Sequence, residues 1–137
     1  MDNFRLAAKG FIVSDGRLLL LQRRLNDVQK PGIWELPGGR LELAEDPFVG
    51  MKREVLEETG LEVEVLMPFS VRHFARDDGQ TITMLVFLCK AFEENVKLSE
   101  EHIAFEWVQA EKAKEKITDF FYKEVDLFNK LELEKHV

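Results

Sequence analysis

The residue types with the most evident chemistry in this sequence are the glutamates of the stretch REVLEETG, residues 53–60. Glu54, Glu57 and Glu58 are spaced i, i+3, i+4, so on a helix they share an arc of about 100°. Clustered carboxylates raise one another's pKa unless a cation lies among them, and hard divalent cations prefer oxygen ligands. Because this stretch contains no His or Cys, it favours Mg²⁺ or Mn²⁺ over Zn²⁺. A solvent-exposed helix face is the alternative, but three carboxylates on one arc favour a metal site.

The glutamates require a helix to present them, and the sequence predicts one from Pro47 to Thr59. Asp46 is a suitable N-cap, Pro47 is favourable at the first helical position, and Gly60 can adopt the left-handed C-terminal cap. A helical wheel of residues 47–59 also predicts a separate apolar arc that faces the core. It is formed by Phe48, Met51, Val55 and Thr59.

Apolar and β-branched runs predict a mixed sheet around this helix. Residues 4–13 and 17–24 are predicted strands joined by a hairpin turn at Asp15-Gly16. Further strands are predicted over residues 33–39, 61–75, 80–92 and 102–108, the first of them short and ending in a Pro-Gly-Gly break. The fold class is therefore α/β or α+β, with layers of helix and sheet.

The C-terminal segment, from about residue 110 onward, has a helical pattern. One apolar face is predicted, with Thr118 or Asp119 as the cap of the helix. The residues of that face are Phe120, Phe121, Val125, Phe128 and Leu131.

Composition excludes several classes of protein. The 137 residues carry 26 acidic and 19 basic side chains, a formal net charge of -7, which argues against binding a nucleic acid polymer. No apolar run is long enough for a transmembrane helix, and the N-terminus lacks the pattern of a secretory signal. The single Cys89 is expected to be a buried structural thiol in a protein of the reducing cytoplasm.

The residues upstream of the helix extend the glutamate pattern to a longer motif. From Gly39 the chain reads GRLELAEDPFVGMKREVLEETGL, which matches GX5EX7REUXEEXGU, where U is aliphatic, at seven identities and two aliphatic positions. This is the signature of the Nudix hydrolase family, and the flanking strands resemble its MutT-like branch. The resemblance implies one α/β/α sandwich domain over residues 1–137, with the motif forming a loop–helix–loop across the sheet.

The resemblance also implies roles for the motif residues. Glu54, Glu57 and Glu58 would ligate Mg²⁺, with Mn²⁺ possible, and the backbone carbonyl of Gly38 would add a ligand. Arg53 would orient a motif glutamate, and Glu45 would hold the loop to the helix. The general base would be Glu57 or Glu54. A further carboxylate is expected from the loop before the last strand, where Glu101 is preferred over Glu100 and a solvated glutamate is the alternative.

The family hydrolyses a nucleoside diphosphate linked to a variable group. The short chain and GIWELPGG favour a nucleoside triphosphate pyrophosphatase that releases a monophosphate and pyrophosphate. The alternatives are a pyrophosphatase for nucleotide sugars, dinucleotides or other diphosphates, and a non-catalytic nucleotide-binding module. Position 76 is Arg76, where ADP-ribose pyrophosphatases of the family often have proline.

Substrate-binding residues are predicted outside the motif. Phe74 and Phe120 could stack on a base, and Arg23 and Arg24 could hold phosphate or base edges. Core packing of the phenylalanines and solvation of the arginines are the alternatives. None of the three histidines is assigned a role. The expected partner is a small nucleotide, and the protein is expected to be a monomer or a homodimer.

Overall fold

The computed structural model describes residues 3–137, in which seven strands and two α-helices are found. The strands are β1 (Phe4–Ser14), β2 (Arg17–Arg23), β3 (Trp34–Glu35), β4 (Gly38–Arg40), β5 (Val63–Ala75), β6 (Thr81–Ala91) and β7 (His102–Gln109). The helices are α1 (Pro47–Thr59) and α2 (Tyr122–Lys130). Short 3₁₀ segments at Ala110–Glu115 and Asp119–Phe121 precede α2, and another at Leu133–His136 follows it.

The strands form one mixed sheet in the order β3-β2-β1-β6-β5, with β4 pairing with β1 and β7 pairing with β2. β1 and β6 run parallel, from Phe4 opposite Thr81 to Val13 opposite Lys90, whereas β1 and β2 form the predicted antiparallel hairpin. Asp15 and Gly16 both have positive φ in its turn, as the Asp-Gly pair predicts. The predicted mixed sheet is confirmed.

Helix α1 begins and ends where its capping residues predict. Asp46 Oδ1 accepts hydrogen bonds from the backbone N–H groups of Phe48 at 2.8 Å and Val49 at 3.1 Å. Gly60 has a left-handed φ of 73° and donates its N–H to the Leu56 carbonyl. Both signals act within a few residues of the chain, which is why the sequence alone locates this helix.

Two apolar clusters lie on opposite faces of the sheet. One packs under α1 and includes Ile12, Leu19, Met51, Val55 and Phe87. The other packs under α2 and includes Phe11, Leu18, Val86, Phe121 and Phe128. Since helices cover both faces, the predicted α/β/α sandwich is confirmed. Among residues 3–137, no helix is long and apolar enough to cross a membrane.

The predicted apolar arc of α1 is correct at Met51, Val55 and Thr59, which are fully buried, but wrong at Phe48. Phe48 is 46% exposed, because it lies in the first turn, at the N-terminal end of the helix. Its ring still packs on Phe87, with 4.8 Å between the ring centroids.

The C-terminal prediction needs a larger correction. The α-helical part is only Tyr122–Lys130, and Thr118 precedes a 3₁₀ turn without a side-chain capping bond. Leu131, expected on the buried face, is 52% exposed because it lies beyond the end of α2, where Glu132 turns the chain with a φ of 52°.

The segment over residues 33–39 also differs from its prediction as one short strand. Trp34–Glu35 pairs with β2, whereas Gly38–Arg40 pairs with β1. Pro37 separates the two because it has no N–H to donate, and Gly38 redirects the chain with a φ of 126°. This change of partner brings the Gly38–Gly39 turn to the motif helix.

Candidate active site

The centre of the candidate site is formed by α1 and the turn that connects β3 to β4. Glu58 is 3% exposed, and its Oε1 accepts a hydrogen bond from the Gly38 N–H at 3.0 Å. A Cβ added to Gly39 would lie 3.6 Å from Oε1 of Glu54. Two of the three predicted helix carboxylates therefore face the Gly38–Gly39 turn.

Burial raises the pKa of both carboxyl groups. For Glu58, the nearby Lys9 and the Gly38 N–H oppose this effect, whereas Glu54 and Glu101 add to it. For Glu54, Arg53 and a hydrogen bond with the Glu58 carboxyl group oppose it. Glu54 and Glu58 are thus adjacent acids in a poorly solvated place, an arrangement that an added cation would stabilise.

Glu101 approaches this pair from the loop before β7. Its carbonyl accepts a hydrogen bond from the Arg24 N–H at 3.1 Å, which joins the loop to the end of β2. Its negative charge contributes to the raised pKa of both Glu54 and Glu58. The charge of Glu101 therefore acts on the helix carboxylates although Glu101 follows Glu58 by 43 positions in the sequence.

Arg53 lies on another side of the same helix and holds the motif loop. It donates to Glu45 through Nε at 2.7 Å and through Nη2 at 2.9 Å, a bidentate pair that lowers the pKa of Glu45 to about 2. Its Nη1 binds Glu57 at 3.1 Å, and the Glu57 side chain is 59% exposed. Arg53 Nη2 also lies 3.6 Å from Glu54 Oε1, so Arg53 pairs with both Glu54 and Glu57, and Glu57 differs from Glu54 in being largely exposed.

The backbone conformation and the surroundings of Gly38 both require a glycine. A Cβ at this position would lie 2.2 Å from the Ala8 carbonyl oxygen, and the φ of 126° disfavours any side chain. In the structure, the close approach of the turn to β1 already excludes a side chain.

A buried network around Glu35 was missed by the sequence reasoning. Glu35 Oε2 binds Arg23 Nη1 at 2.8 Å and His102 Nε2 at 2.9 Å, and its Oε1 binds Lys9 Nζ at 3.4 Å. Burial alone would raise the pKa of Glu35, but Lys9, His102 and Arg23 together lower it to about 2. These residues come from four strands, β1, β2, β3 and β7, so no local spacing identifies them.

The predicted substrate-binding residues fall in two places. Arg23 belongs to the Glu35 network and also pairs with Asp27 at 3.4 Å, while Arg24 follows β2 beside Glu101. Phe74 and Phe120 contact each other under α2 with 5.2 Å between their ring centroids. The Arg72 guanidinium lies 4.1 Å from the Phe120 ring centroid, so one face of that ring is covered.

Arg72 also belongs to a second buried charge cluster that the sequence did not indicate. Its Nη1 lies 2.9 Å from the carboxylate of Glu124, a fully buried residue of α2, and Ser70 Oγ donates to the same carboxylate at 2.7 Å. The cluster joins β5 to α2. Arg72 Nη1 also donates a hydrogen bond to the Phe120 carbonyl at 2.7 Å, which ties the cluster to the turn before α2.

Three further features bear on the chemistry. Burial raises the pKa of the Cys89 thiol to about 12, consistent with the expected structural cysteine. Across the described residues 3–137, no three His, Cys, Asp or Glu side chains already form a group that could hold a metal ion. A shallow groove of about 480 Å³ is lined by residues of the outward side of α1, including Lys52 and Leu56, and not by Glu54 or Glu58.

The donor set still fits a hard divalent cation. Glu54 and Glu58 present carboxylate oxygens, and the charge of Glu101 acts on both of them. Burial is the largest cause of the raised pKa of both acids, and the charges of Arg53 and Lys9 offset it only in part. Magnesium or manganese would supply further positive charge through oxygen ligands.

Comparison with known proteins decides the family. The sequence-family model of the NUDIX domain matches residues 3–127 of this chain. The chain belongs to the Nudix hydrolase family. A MutT-like protein of Streptomyces ambofaciens is 37% identical over 117 residues, which are 85% of this chain and 71% of that protein.

Other members of the Nudix family agree with this assignment. The nucleoside triphosphatase NudI of Klebsiella pneumoniae is 34% identical over 113 residues, which are 75% of this chain and 80% of that protein. The crystal structure of a MutT protein from Methanosarcina mazei superposes with a TM-score of 0.84 at 29% identity, covering 94% of this chain and 95% of the other. The sequence-based recognition of a MutT-like Nudix hydrolase is confirmed.

Proposed function

We propose that this Nudix hydrolase cleaves a phosphoanhydride bond of a nucleoside triphosphate, normal or modified, and releases the nucleoside monophosphate and pyrophosphate. The proposed cofactor is Mg²⁺, with Mn²⁺ as a substitute, and the proposed location is the cytoplasm. The observation that carries the proposal is the buried Glu54–Glu58 pair facing the Gly38–Gly39 turn, with the complete family motif around it.

Divalent ions bound to these carboxylates would neutralise phosphate charge and lower the pKa of the attacking water. The protein has a formal net charge of -7, so a polyanionic substrate needs such ions to approach its acidic site. We assign Glu54, Glu57, Glu58 and Glu101 to holding them, with the Gly38 carbonyl as a further candidate ligand. Arg53 and Glu45 keep the motif loop against the helix.

Of the two residues predicted as the general base, the placement favours Glu54. Both carboxylates pair with Arg53, but Glu54 is 3.6 Å from it and faces the Gly38–Gly39 turn, whereas Glu57 is held at 3.1 Å and its side chain is largely exposed. A base must lie within hydrogen-bonding reach of the water that it activates. Glu57 stays the alternative. Comparing the turnover of Glu54→Gln with that of Glu57→Gln distinguishes between the two candidates.

The substrate class is supported by the relatives more than by the pocket. One curated relative is named a nucleoside triphosphatase, and it matches this chain over 80% of its own length. We assign Arg24 to the phosphates, and the support for this is the hydrogen bond from its backbone N–H to the carbonyl of Glu101, a candidate metal ligand. Arg23 stays a candidate for the same role, although Glu35 and Asp27 already engage its guanidinium. Phe74 and Phe120 stay candidates for base stacking.

The test is a panel of nucleoside triphosphates, nucleotide sugars and dinucleotides, incubated with Mg²⁺ and followed by phosphorus NMR. We expect pyrophosphate and a monophosphate from a triphosphate, and no turnover after EDTA treatment. Release of two monophosphates from a nucleotide sugar would move the function to the alternative class. Absence of any turnover would favour the non-catalytic binding module.

Variants then test the site itself. Glu54→Gln and Glu58→Gln should each lower kcat by about a hundredfold or more, since they remove charge at the reacting centre. Glu106→Gln, an exposed glutamate of β7 paired with Lys116, is the control and should leave turnover unchanged. If Glu57→Gln also leaves Mg²⁺-dependent turnover unchanged, Glu57 has to be removed from the metal site.

A further inference from the structure

Lys9 is a buried cation next to the proposed metal site, outside the family motif. It lies in the middle of β1 and is 6% exposed. Its Nζ donates to the Gly38 carbonyl at 2.9 Å and the Leu36 carbonyl at 3.0 Å, and it pairs with Glu35 Oε1 at 3.4 Å. All three ammonium protons are therefore engaged, and the group has a single well-defined position.

Lys9 Nζ binds a group that a divalent ion at this site would also use. The Gly38 carbonyl, which the family resemblance nominates as a metal ligand, already accepts a hydrogen bond from Lys9. The Gly38 N–H binds Glu58 Oε1 at 3.0 Å, so Lys9 and Glu58 are connected through one peptide turn. A cation at the carboxylates would lie close to the Lys9 charge, in a place where burial weakens screening.

We propose that Lys9 is a positioning residue of the site that also acts as a resident monovalent cation. Its hydrogen bonds hold the turn over residues 36–38 so that the Gly38 N–H points at Glu58. Its charge offsets part of the carboxylate charge, so divalent ions bind less tightly than they would without it. This inference rests on the proposed metal-dependent function, but its test does not require turnover.

Two substitutions separate the charge of Lys9 from its hydrogen bonds. Lys9→Gln removes the charge but keeps an N–H donor for the carbonyl groups, and Lys9→Met removes both. We expect Lys9→Gln to lower the dissociation constant for Mn²⁺, measured by electron paramagnetic resonance, by roughly tenfold. Lys9→Met should bind Mn²⁺ more weakly than Lys9→Gln, because its turn is no longer held.

Lys52→Gln is the matched control. Lys52 is exposed on the acidic helix, so this variant makes the same change in net charge without touching the turn. Its dissociation constant for Mn²⁺ should stay within twofold of the wild-type value. Glu58→Gln should weaken Mn²⁺ binding, which confirms that the signal reports on this site.

The wild-type protein provides a second readout in case Lys9→Gln does not fold. The nitrogen-15 resonance of the Lys9 ammonium group should shift when Mg²⁺ is added, whereas that of Lys52 should not. The inference is overturned if a folded Lys9→Gln binds Mn²⁺ no more tightly than wild type, or if Mg²⁺ leaves the Lys9 resonance unchanged. Failure of wild-type turnover in the phosphorus NMR panel would instead count against the proposed function.

Discussion

The buried Glu35 gives the sharpest stability prediction. Glu35→Gln retains the shape of the side chain but removes the negative charge that Lys9, Arg23 and His102 share. The side chain of Glu35 is only 7% exposed, so water cannot replace the lost partner. The variant leaves the cationic groups of Lys9 and Arg23 without their common counter-ion.

The size of the effect follows from the pKa of Glu35. A fall in this pKa from 4.5 to about 2 corresponds to about 3 kcal/mol of stability, since a tenfold change in proton affinity is worth about 1.4 kcal/mol. Breaking a buried ion pair by removing one partner typically costs about 3–5 kcal/mol. We therefore expect Glu35→Gln to lower the free energy of unfolding at pH 7 by about 3 kcal/mol.

The direction of the pKa shift of Glu35 determines how this stabilisation depends on pH. Because folding lowers the pKa of Glu35, the ionised carboxylate stabilises the protein fully above about pH 5, and the stabilisation is lost as the pH falls toward 2. Wild type should therefore lose this contribution in acid. Glu35→Gln has no carboxylate to protonate, so the difference between the two proteins should narrow over the same range.

Urea unfolding at pH 7, 5, 4 and 3, in EDTA, measures this difference. Other carboxylates titrate in both proteins and cancel in the comparison. Glu106→Gln, which removes an exposed ion pair with Lys116, is the control and should cost at most about 1 kcal/mol at every pH. A difference below about 1 kcal/mol for Glu35→Gln at pH 7, or one that does not narrow in acid, would refute the reasoning.

Two further substitutions test the backbone turn and the second charge cluster. Gly38→Ala should lower the free energy of unfolding by about 2–4 kcal/mol, because its Cβ would collide with the Ala8 carbonyl. Gly79→Ala, also at positive φ but in an open turn, should cost only about 1 kcal/mol in the same urea assay. Arg72→Met should cost about 3 kcal/mol because it leaves the buried Glu124 carboxylate without its cation. Adding Glu124→Leu should recover most of that loss, and failure to recover it in urea unfolding would contradict the ion-pair explanation.

The parts of the fold that the sequence predicts well are specified by neighbouring residues. The bounds of α1 follow from Asp46, Pro47 and Gly60, and the β1–β2 turn follows from Asp15-Gly16. The motif spacing likewise locates Glu54 and Glu58, because their common face depends only on helix geometry. The prediction of the C-terminal helix is less accurate, because the N-terminus of α2 lacks a side-chain cap and tertiary packing decides where the helix begins.

The parts that sequence reasoning missed depend on distant partners. Glu35 meets His102 across 67 positions, and Arg72 meets Glu124 across 52. Lys9 is an isolated lysine in an apolar run, and nothing near it in the chain indicates that the turn over residues 36–38 will accept its protons. Pairing of strands creates these contacts, so only a three-dimensional structure identifies them.

The parallel pairing of β1 with β6 has a consequence for the order in which the molecule forms. Phe4 is paired with Thr81, whereas the hairpins β1–β2 and β5–β6 close over short distances in the chain. Since long-range pairing must overcome the entropy of closing a large loop, we expect it to limit the folding rate. During synthesis on the ribosome, β1 would remain without this partner until β6 has been synthesised. The N-terminal half, with all four glutamates of the motif, would then be synthesised well before its central strand acquires a second long neighbour.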